Sequence, residues 1–329
     1  MPFQTPIPSQ VYTPEQVKAY FNYISLPQKF HPENHPPLDI DFLTTLFIHQ
    51  ITTIPYENLS LHYNNVAQDK KVILEPQFLF DKFVTRASGR GGYCMEGSLF
   101  FVWMLRTLGF DAYSTGARIK LRVDGVPQGN YMGMSHIVNI ITLPTGEKYV
   151  CDAAFGGDGM TRPMPLEANT ITQNLGTQQI RYIYDSISQL PARTPNTTPS
   201  KFWIYQYRNS PTQAWNSFYC FREEEYLLED FNIMSYFAST SAESFSTYTV
   251  VVVAFLREEG ESKVRGKVML VDGAVKRNLG GKTEIVQVCE TEEERVEALR
   301  GWFGIRLSEG EILGIRGYVS QLKRAEITA

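Results

Sequence analysis

The amino-acid sequence predicts an α+β, multidomain fold: a helical domain over residues 1–110, a β domain over 111–215 and a C-terminal α/β domain over 216–329. Three observations predict it. Apolar residues recur at helical spacing through the first hundred positions. From Phe110 short β-rich runs alternate with Gly, Pro and Asp turns. Near the C-terminus further strands lead into a capped amphipathic helix. A chain of 329 residues suits two or three domains. Its 43% hydrophobic and 13% aromatic content supplies packed cores and excludes a disordered chain.

The elements follow in order. Thr13-Pro14-Glu15-Gln16 reads as an N-cap, a Pro at the first helical position and a capping-box partner. Val17, Tyr20, Phe21 and Ile24 then share one face, and Pro27 ends the pattern. Asp39 to Ile51 repeats the theme with Phe42, Leu43, Leu46 and Phe47 inward. A polar stretch, Asn64 to Lys71, separates it from a short helix near Pro76 to Val84. Cys94 to Leu108 is a strongly apolar helix closed by Gly109, with Phe100, Phe101 and Trp103 as core. Ala112–Val123, His136–Leu143, Lys148–Asp152 and Ile180–Tyr184 read as strands of an antiparallel sheet or small barrel. Ser186 to Ser200, rich in Ser, Thr, Pro and Asn, is an exposed connection. Strands follow at Phe202–Tyr207, Tyr248–Leu256, Lys267–Val271 and Glu284–Val288, and Thr291 caps a last helix with Val296, Leu299 and Trp302 inward.

Composition narrows the partners. A net charge of −4 with no Lys/Arg cluster argues against nucleic acid. No apolar run approaches the roughly 18–20 residues of a membrane span, and the opening MPFQTPIPSQ lacks the pattern of a secretory signal. Cys94, Cys151, Cys220 and Cys289 are widely spaced, with no CxxC pair and no clustered His, so the chain carries neither a zinc site nor a disulfide framework. Free thiols in the cytoplasm are the expectation.

One stretch points to chemistry: Arg90-Gly91-Gly92-Tyr93-Cys94-Met95-Glu96. A cysteine in the first turn of a helix meets free N–H groups and the positive end of the helix dipole, which favour a thiolate. The preceding glycines permit a sharp turn and leave space beside the sulfur. The alternative is a small buried apolar residue. Arg90 and Glu96 read either as substrate ligands or as a pair bracing this loop.

A thiol nucleophile needs a base, and the base an orienter. Of the five histidines only His136 opens a strand, followed by the turn Pro144-Thr145-Gly146 and the run Glu147 to Asp152. A three-residue turn with Gly146 left-handed pairs Leu143 with Glu147, so that paired positions sum to 290. Asp152 then faces Val138, and His136 is its diagonal neighbour on the same face. A two-residue turn would set them on opposite faces. A surface His and Asp that never meet is the alternative.

These residues resemble the Cys-His-Asp motifs of the arylamine N-acetyltransferase family. The resemblance rests on Arg90–Glu96, His136 and Asp152-Ala153-Ala154-Phe155-Gly156. It extends to Ile54-Pro55-Tyr56-Glu57-Asn58-Leu59, Tyr219-Cys220-Phe221 and Ser239-Thr240-Ser241. It implies a helical bundle, an antiparallel β-barrel and an α/β lid, the first two forming a cysteine-protease-like core. It also implies ping-pong transfer of an acyl group from acetyl-CoA or malonyl-CoA, with no metal, to arylamines, arylhydrazines or aminophenols, in xenobiotic detoxification. Carried over by position, Cys94 is the nucleophile, His136 the proton acceptor and Asp152 the orienter. Gly133 and the loop Ser239, Thr240, Ser241 match positions near CoA, while Tyr93 and Phe155 fall on the substrate side. For Phe155 the alternatives are stacking on an aromatic acceptor and plain barrel packing.

The pattern departs from relatives at three places. Ser98 stands where relatives have Asn, Asp152-Ala153-Ala154 replaces Asp-Val-Gly, and Ala242 replaces a Pro after Ser241. The stretch Lys120 to Ser135 is longer than in bacterial relatives, as in fungal members, some of which prefer malonyl-CoA. A papain-like thiol hydrolase or transglutaminase would use the same triad, and a non-catalytic binding protein could keep the fold.

Overall fold

The computed structural model describes residues 11–64 and 72–322. The opening decapeptide and most of the polar stretch, residues 65–71, lie outside the described residues. The N-terminal helices are α1 (Pro14–Tyr23), α2 (Ile40–Thr53), α3 (Pro76–Phe80) and α4 (Cys94–Thr107). The capping box of Thr13 and Gln16 starts α1 as its sequence dictates, and α1 buries Val17, Tyr20 and Phe21. Helix α4 is buried from Cys94 to Leu105, and Phe100, Phe101 and Trp103 are core. Helix α3 widens into a π-helical turn, Asp81–Thr85, whose Lys82 is buried and reaches Glu96.

Strand β1 (Tyr56–Glu57) stands apart from the run that follows. That run comprises β2 (Asp111–Val123), β3 (Val126–Thr142), β4 (Lys148–Cys151), β5 (Met164–Pro165), β6 (Thr172–Gln173), β7 (Gln179–Ser186), β8 (Lys201–Arg208) and β9 (Asn216–Phe221). These eight form one antiparallel, nearly closed, barrel-like sheet in the order β5-β4-β3-β2-β9-β8-β7-β6. The sheet therefore reaches Phe221, past the expected boundary at 215, because β9 pairs with both β2 and β8. Strand β3 is also longer than its expected start at His136. Asp124 and Gly125, both at positive φ, close a two-residue turn that extends the β2–β3 hairpin.

Beyond β9 lies α5 (Leu228–Thr240), a helix where the sequence reading placed a loop at Ser239–Ser241. Strands β10 (Val251–Arg257), β11 (Val264–Val271), β12 (Ala274–Asn278) and β13 (Glu284–Val288) complete a five-stranded sheet that begins with β1. Helices α6 (Glu292–Phe303) and α7 (Glu309–Gly314) follow. The main core joins α1–α4 to the inner face of the eight-stranded sheet. A second core packs Val252, Leu270 and Val275 of the five-stranded sheet against Leu299 of α6.

Where α4 begins, a buried ion network braces the chain. Arg90 donates to Glu57 Oε1 at 2.9 Å and also pairs with Glu311, while Lys82 lies 2.7 Å from Glu96 and 3.8 Å from Glu57. Glu96 thus braces the loop with Lys82, and the expected Arg90–Glu96 pair does not form. Glu57 is fully buried; burial opposes its charge, but Arg90 and Lys82 hold its carboxyl below the usual carboxylate range. Breaking a buried pair strands the partner's charge, so Arg90→Met lowers the unfolding free energy by about 3–5 kcal/mol. Chemical denaturation measures this, and a loss within the surface range of about 0–1 kcal/mol contradicts it.

Candidate active site

The β3–β4 hairpin has the register that the turn dictates. Gly146 has φ 90°, Leu143 N–H donates to Glu147 at 2.9 Å, and Asn139–Cys151, Ile140–Val150, Ile141–Tyr149 and Thr142–Lys148 are paired. Every pair sums to 290. Asp152 therefore emerges on the face that carries His136, and His136 Nε2 lies 2.7 Å from Asp152 Oδ2. Each residue is only 3% exposed.

The nucleophile candidate arrives from the other side. Cys94 is the first residue of α4, 8% exposed, with its Sγ 3.9 Å from the Ser135 carbonyl and near enough to the His136 ring to raise its pKa. The two glycines before it are needed for close approach and not, as expected, for space beside the sulfur. A Cβ on Gly91 would lie 1.8 Å from the Pro55 carbonyl oxygen, and one on Gly92 would lie 2.6 Å from Glu96 Cβ. They let α4 dock on β1, where Glu57 N–H donates to the Gly92 carbonyl at 3.0 Å.

The electrostatics favour an imidazolium at His136. Burial disfavours its charge, but the Asp152 carboxylate and then the Cys94 sulfur prevail and push its pKa up to about 10. The carboxylate thus favours the protonated ring, with Nε2 held on Asp152. Asp152 N–H donates to Met160 Sδ at 3.4 Å. Phe155 meets His136 edge-on at 5.0 Å between ring centroids, and Tyr219 lies against its ring at 5.5 Å. Tyr219 in turn shares a 2.8 Å hydroxyl contact with Tyr182. No role is assigned to Tyr219 from the sequence; its signal there is the motif Tyr219-Cys220-Phe221, which the resemblance already includes.

The other candidate residues are spread over the segment after β4, the N-cap of α4, the end of α5 and strand β3. Phe155 is half-buried and also packs on Phe218. Tyr93 is buried, and its hydroxyl meets Ser235 Oγ of α5 at 2.5 Å, which joins the two helices beside Cys94. Ser239 lies one turn beyond Ser235, buried, with its hydroxyl on the Tyr236 carbonyl; Thr240 shares that acceptor. Ser241 is the C-cap residue of α5, so these three end a helix and are not a loop. Gly133 is exposed on β3, with open space where a Cβ would stand. Among the described residues no group of three His, Cys, Asp or Glu side chains is arranged to hold a metal ion.

Comparison with known proteins finds relatives over most of the chain. A family model described as N-acetyltransferase matches residues 39–312. An N-malonyltransferase of Fusarium pseudograminearum is 30% identical over 326 residues, 92% of either chain. Arylamine N-acetyltransferase 2 of Homo sapiens is 27% identical, over 88% of this chain and 94% of that one. Among solved structures, the arylamine N-acetyltransferase from Mycobacterium abscessus superposes with TM-score 0.73 at 20% identity, over 91% of this chain and 93% of that one. The Mycobacterium marinum arylamine N-acetyltransferase in complex with CoA does so with TM-score 0.70 at 22% identity, over 91% and 98%.

The raised pKa of His136 has a consequence for stability. Its proton is held more tightly in the folded than in the unfolded chain, so the pair's contribution is complete below the ordinary histidine range. It fades as pH rises through about 10. Between pH 7 and 9 the unfolding free energy of the wild type should therefore fall with a slope of about one proton beyond that of Asp152→Asn. Denaturant titrations at several pH values measure it, and equal slopes in the two proteins contradict it.

Proposed function

Because the chain belongs to the arylamine N-acetyltransferase family, we propose that it moves an acyl group from acyl-CoA to the nitrogen of arylamines, arylhydrazines or aminophenols. The observation that carries this reading is the buried chain Cys94–His136–Asp152, with 2.7 Å between His136 and Asp152. In the first half-reaction the Cys94 sulfur attacks the thioester carbonyl, the bond to the CoA sulfur breaks, and His136 returns a proton to that leaving thiol. In the second, the amine nitrogen attacks the acyl-cysteine, the carbon–sulfur bond to Cys94 breaks, and His136 takes the proton shed by nitrogen. Asp152 acts as the orienter that keeps Nε2–H bound and directs the other nitrogen at the sulfur.

Gly133, Ser239, Thr240 and Ser241 are our candidates for CoA contacts, since the Tyr93–Ser235 contact supports a place for α5 beside Cys94. Phe155 offers its ring edge to an aromatic acceptor, and Tyr93 bears on substrate through the placement of α5. The relative named N-malonyltransferase supports malonyl-CoA as donor over acetyl-CoA. The four free thiols support a cytoplasmic site of action.

Without amine, the protein should release CoA from acyl-CoA in a single burst and stall as an acyl-thioester on Cys94. Cys151 and Cys220 should stay unmodified, since burial pushes both thiols up. Peptide mapping of the trapped protein checks this, and transfer that persists in Cys94→Ala overturns it. A papain-like hydrolase would instead cleave amides with no need for CoA. Asp152→Asn should reduce turnover by about 10⁴-fold, the cost of losing such an orienter in a serine protease. For the donor, kcat/KM with one aminophenol should be higher for malonyl-CoA than for acetyl-CoA; a clear acetyl preference would reverse the donor assignment.

A further inference from the structure

We propose that Asp158 and Lys267 are positioning residues for the His136–Asp152 pair, so that a side chain of the five-stranded sheet sets the geometry at Cys94. The proposal rests on the acyl-transfer reading for its rate effect only. Its structural basis is the segment Asp152 to Met160, both ends of which are fixed to the pair. Phe155 packs on the His136 ring, and Met160 accepts the Asp152 N–H. Between them Gly159 N–H donates to the Gly156 carbonyl at 3.1 Å, which closes the segment into a tight turn. Any shift of Asp158 must therefore carry Phe155 and Met160 with it.

Asp158 is where other elements grip this turn. Its carboxylate lies 3.6 Å from Lys267 Nζ of β11, pairs with Arg122 at the tip of the β2–β3 hairpin, and accepts from Gln178 at 3.2 Å. Its carbonyl accepts from the Tyr205 hydroxyl at 2.8 Å, and Tyr205 stacks on Tyr219 against the His136 ring. Lys267 also donates to the Gly157 carbonyl. The approach of β11 is close: a Cβ on Gly157 would lie 2.9 Å from Met269 Sδ.

The charges make the grip one-directional. Lys267 is 6% exposed and has Asp158 as its counter-ion, whereas Arg122 is more than a third exposed at its side chain and is partly solvated. A buried ammonium holds its carboxylate in place because separation strands both charges. Lys267 therefore fixes Asp158, and Arg122 adds to it from the solvent side.

Two variants test the proposal. Lys267→Met removes the cation with little change in packing and leaves Asp158 its partners Arg122 and Gln178. The double variant Asp158→Asn, Lys267→Met removes both charges of the pair together, so that no buried cation is left unpaired. Each should unfold in one transition like the wild type. In each the NMR titration midpoint of the His136 ring should fall below that of the wild type by about one pH unit or more, as Asp152 loosens from the ring. Acyl transfer should drop in kcat by about 10²-fold, the cost of an ångström-scale misplacement, with the KM for acyl-CoA unchanged. Folded variants with the wild-type midpoint and rate would overturn the proposal, and so would the unfolding of both, which would make the cluster a requirement of the fold alone. The midpoint is read without substrate. A wild-type protein that takes no acyl group from acetyl- or malonyl-CoA would thus defeat the functional reading while the titration still judged the positioning role.

Discussion

Leu143 and Glu147 close a three-residue turn, and the parity of that closure governs everything at the site. With Gly146 left-handed, paired positions along β3 and β4 sum to an even number, and His136 and Asp152 come out on one face. One residue fewer would send the carboxylate to the opposite face and leave the imidazole buried without an anion. Burial would then keep the ring neutral. The register is in turn held by β2, which places Ala117 opposite His136, and by the long hairpin that Asp124 and Gly125 extend.

Around that hairpin the protein keeps a set of charges out of water, each with an assigned partner. His136 faces Asp152, Arg90 faces Glu57, Lys82 faces Glu96, and Lys267 faces Asp158. Ion pairs of this kind are weak sources of net stability, because desolvation offsets most of the attraction. Their effect is on geometry: a misplaced partner leaves a bare buried charge, so alternative placements are excluded. The Arg90 network sets the approach to α4 and thereby Cys94, and the Asp158 cluster sets the segment that carries Asp152 and Phe155. Nucleophile and base thus stand on separate scaffolds that meet across a few ångströms.

Much of this was legible in the sequence, for identifiable reasons. The hairpin was readable because turn length and a glycine at the left-handed position fix register locally. The start of α4 was readable from Gly91-Gly92 before an apolar run, although the reason for the glycines lay in Pro55 and Glu96, distant in sequence or packed behind the turn. Helix α5 was missed because its pattern is mixed. Phe231, Met234 and Ala238 are buried together with Ser235 and Ser239, while Ile233, Tyr236 and Phe237 face outward, so apolar residues fall on both faces and no single stripe marks the helix. The late start assigned to β3 had a local remedy, since Asp124-Gly125 is a favoured two-residue turn. Partner choice in the ion network was not readable: Arg90 and Glu57 meet only through tertiary packing, and Glu96 stood nearer in sequence.

These constraints converge on a cysteine that faces an imidazole kept protonated by a carboxylate, in a family whose members transfer acyl groups to nitrogen. The chemistry at Cys94 turns on where the protons lie. Neutron diffraction from crystals grown in heavy water at a pD near 8 would show them directly. Deuterium is expected on both ring nitrogens of His136, with Nε2 bonded to an unprotonated Asp152. A single deuterium on the ring, or one on the Asp152 carboxyl, would contradict it.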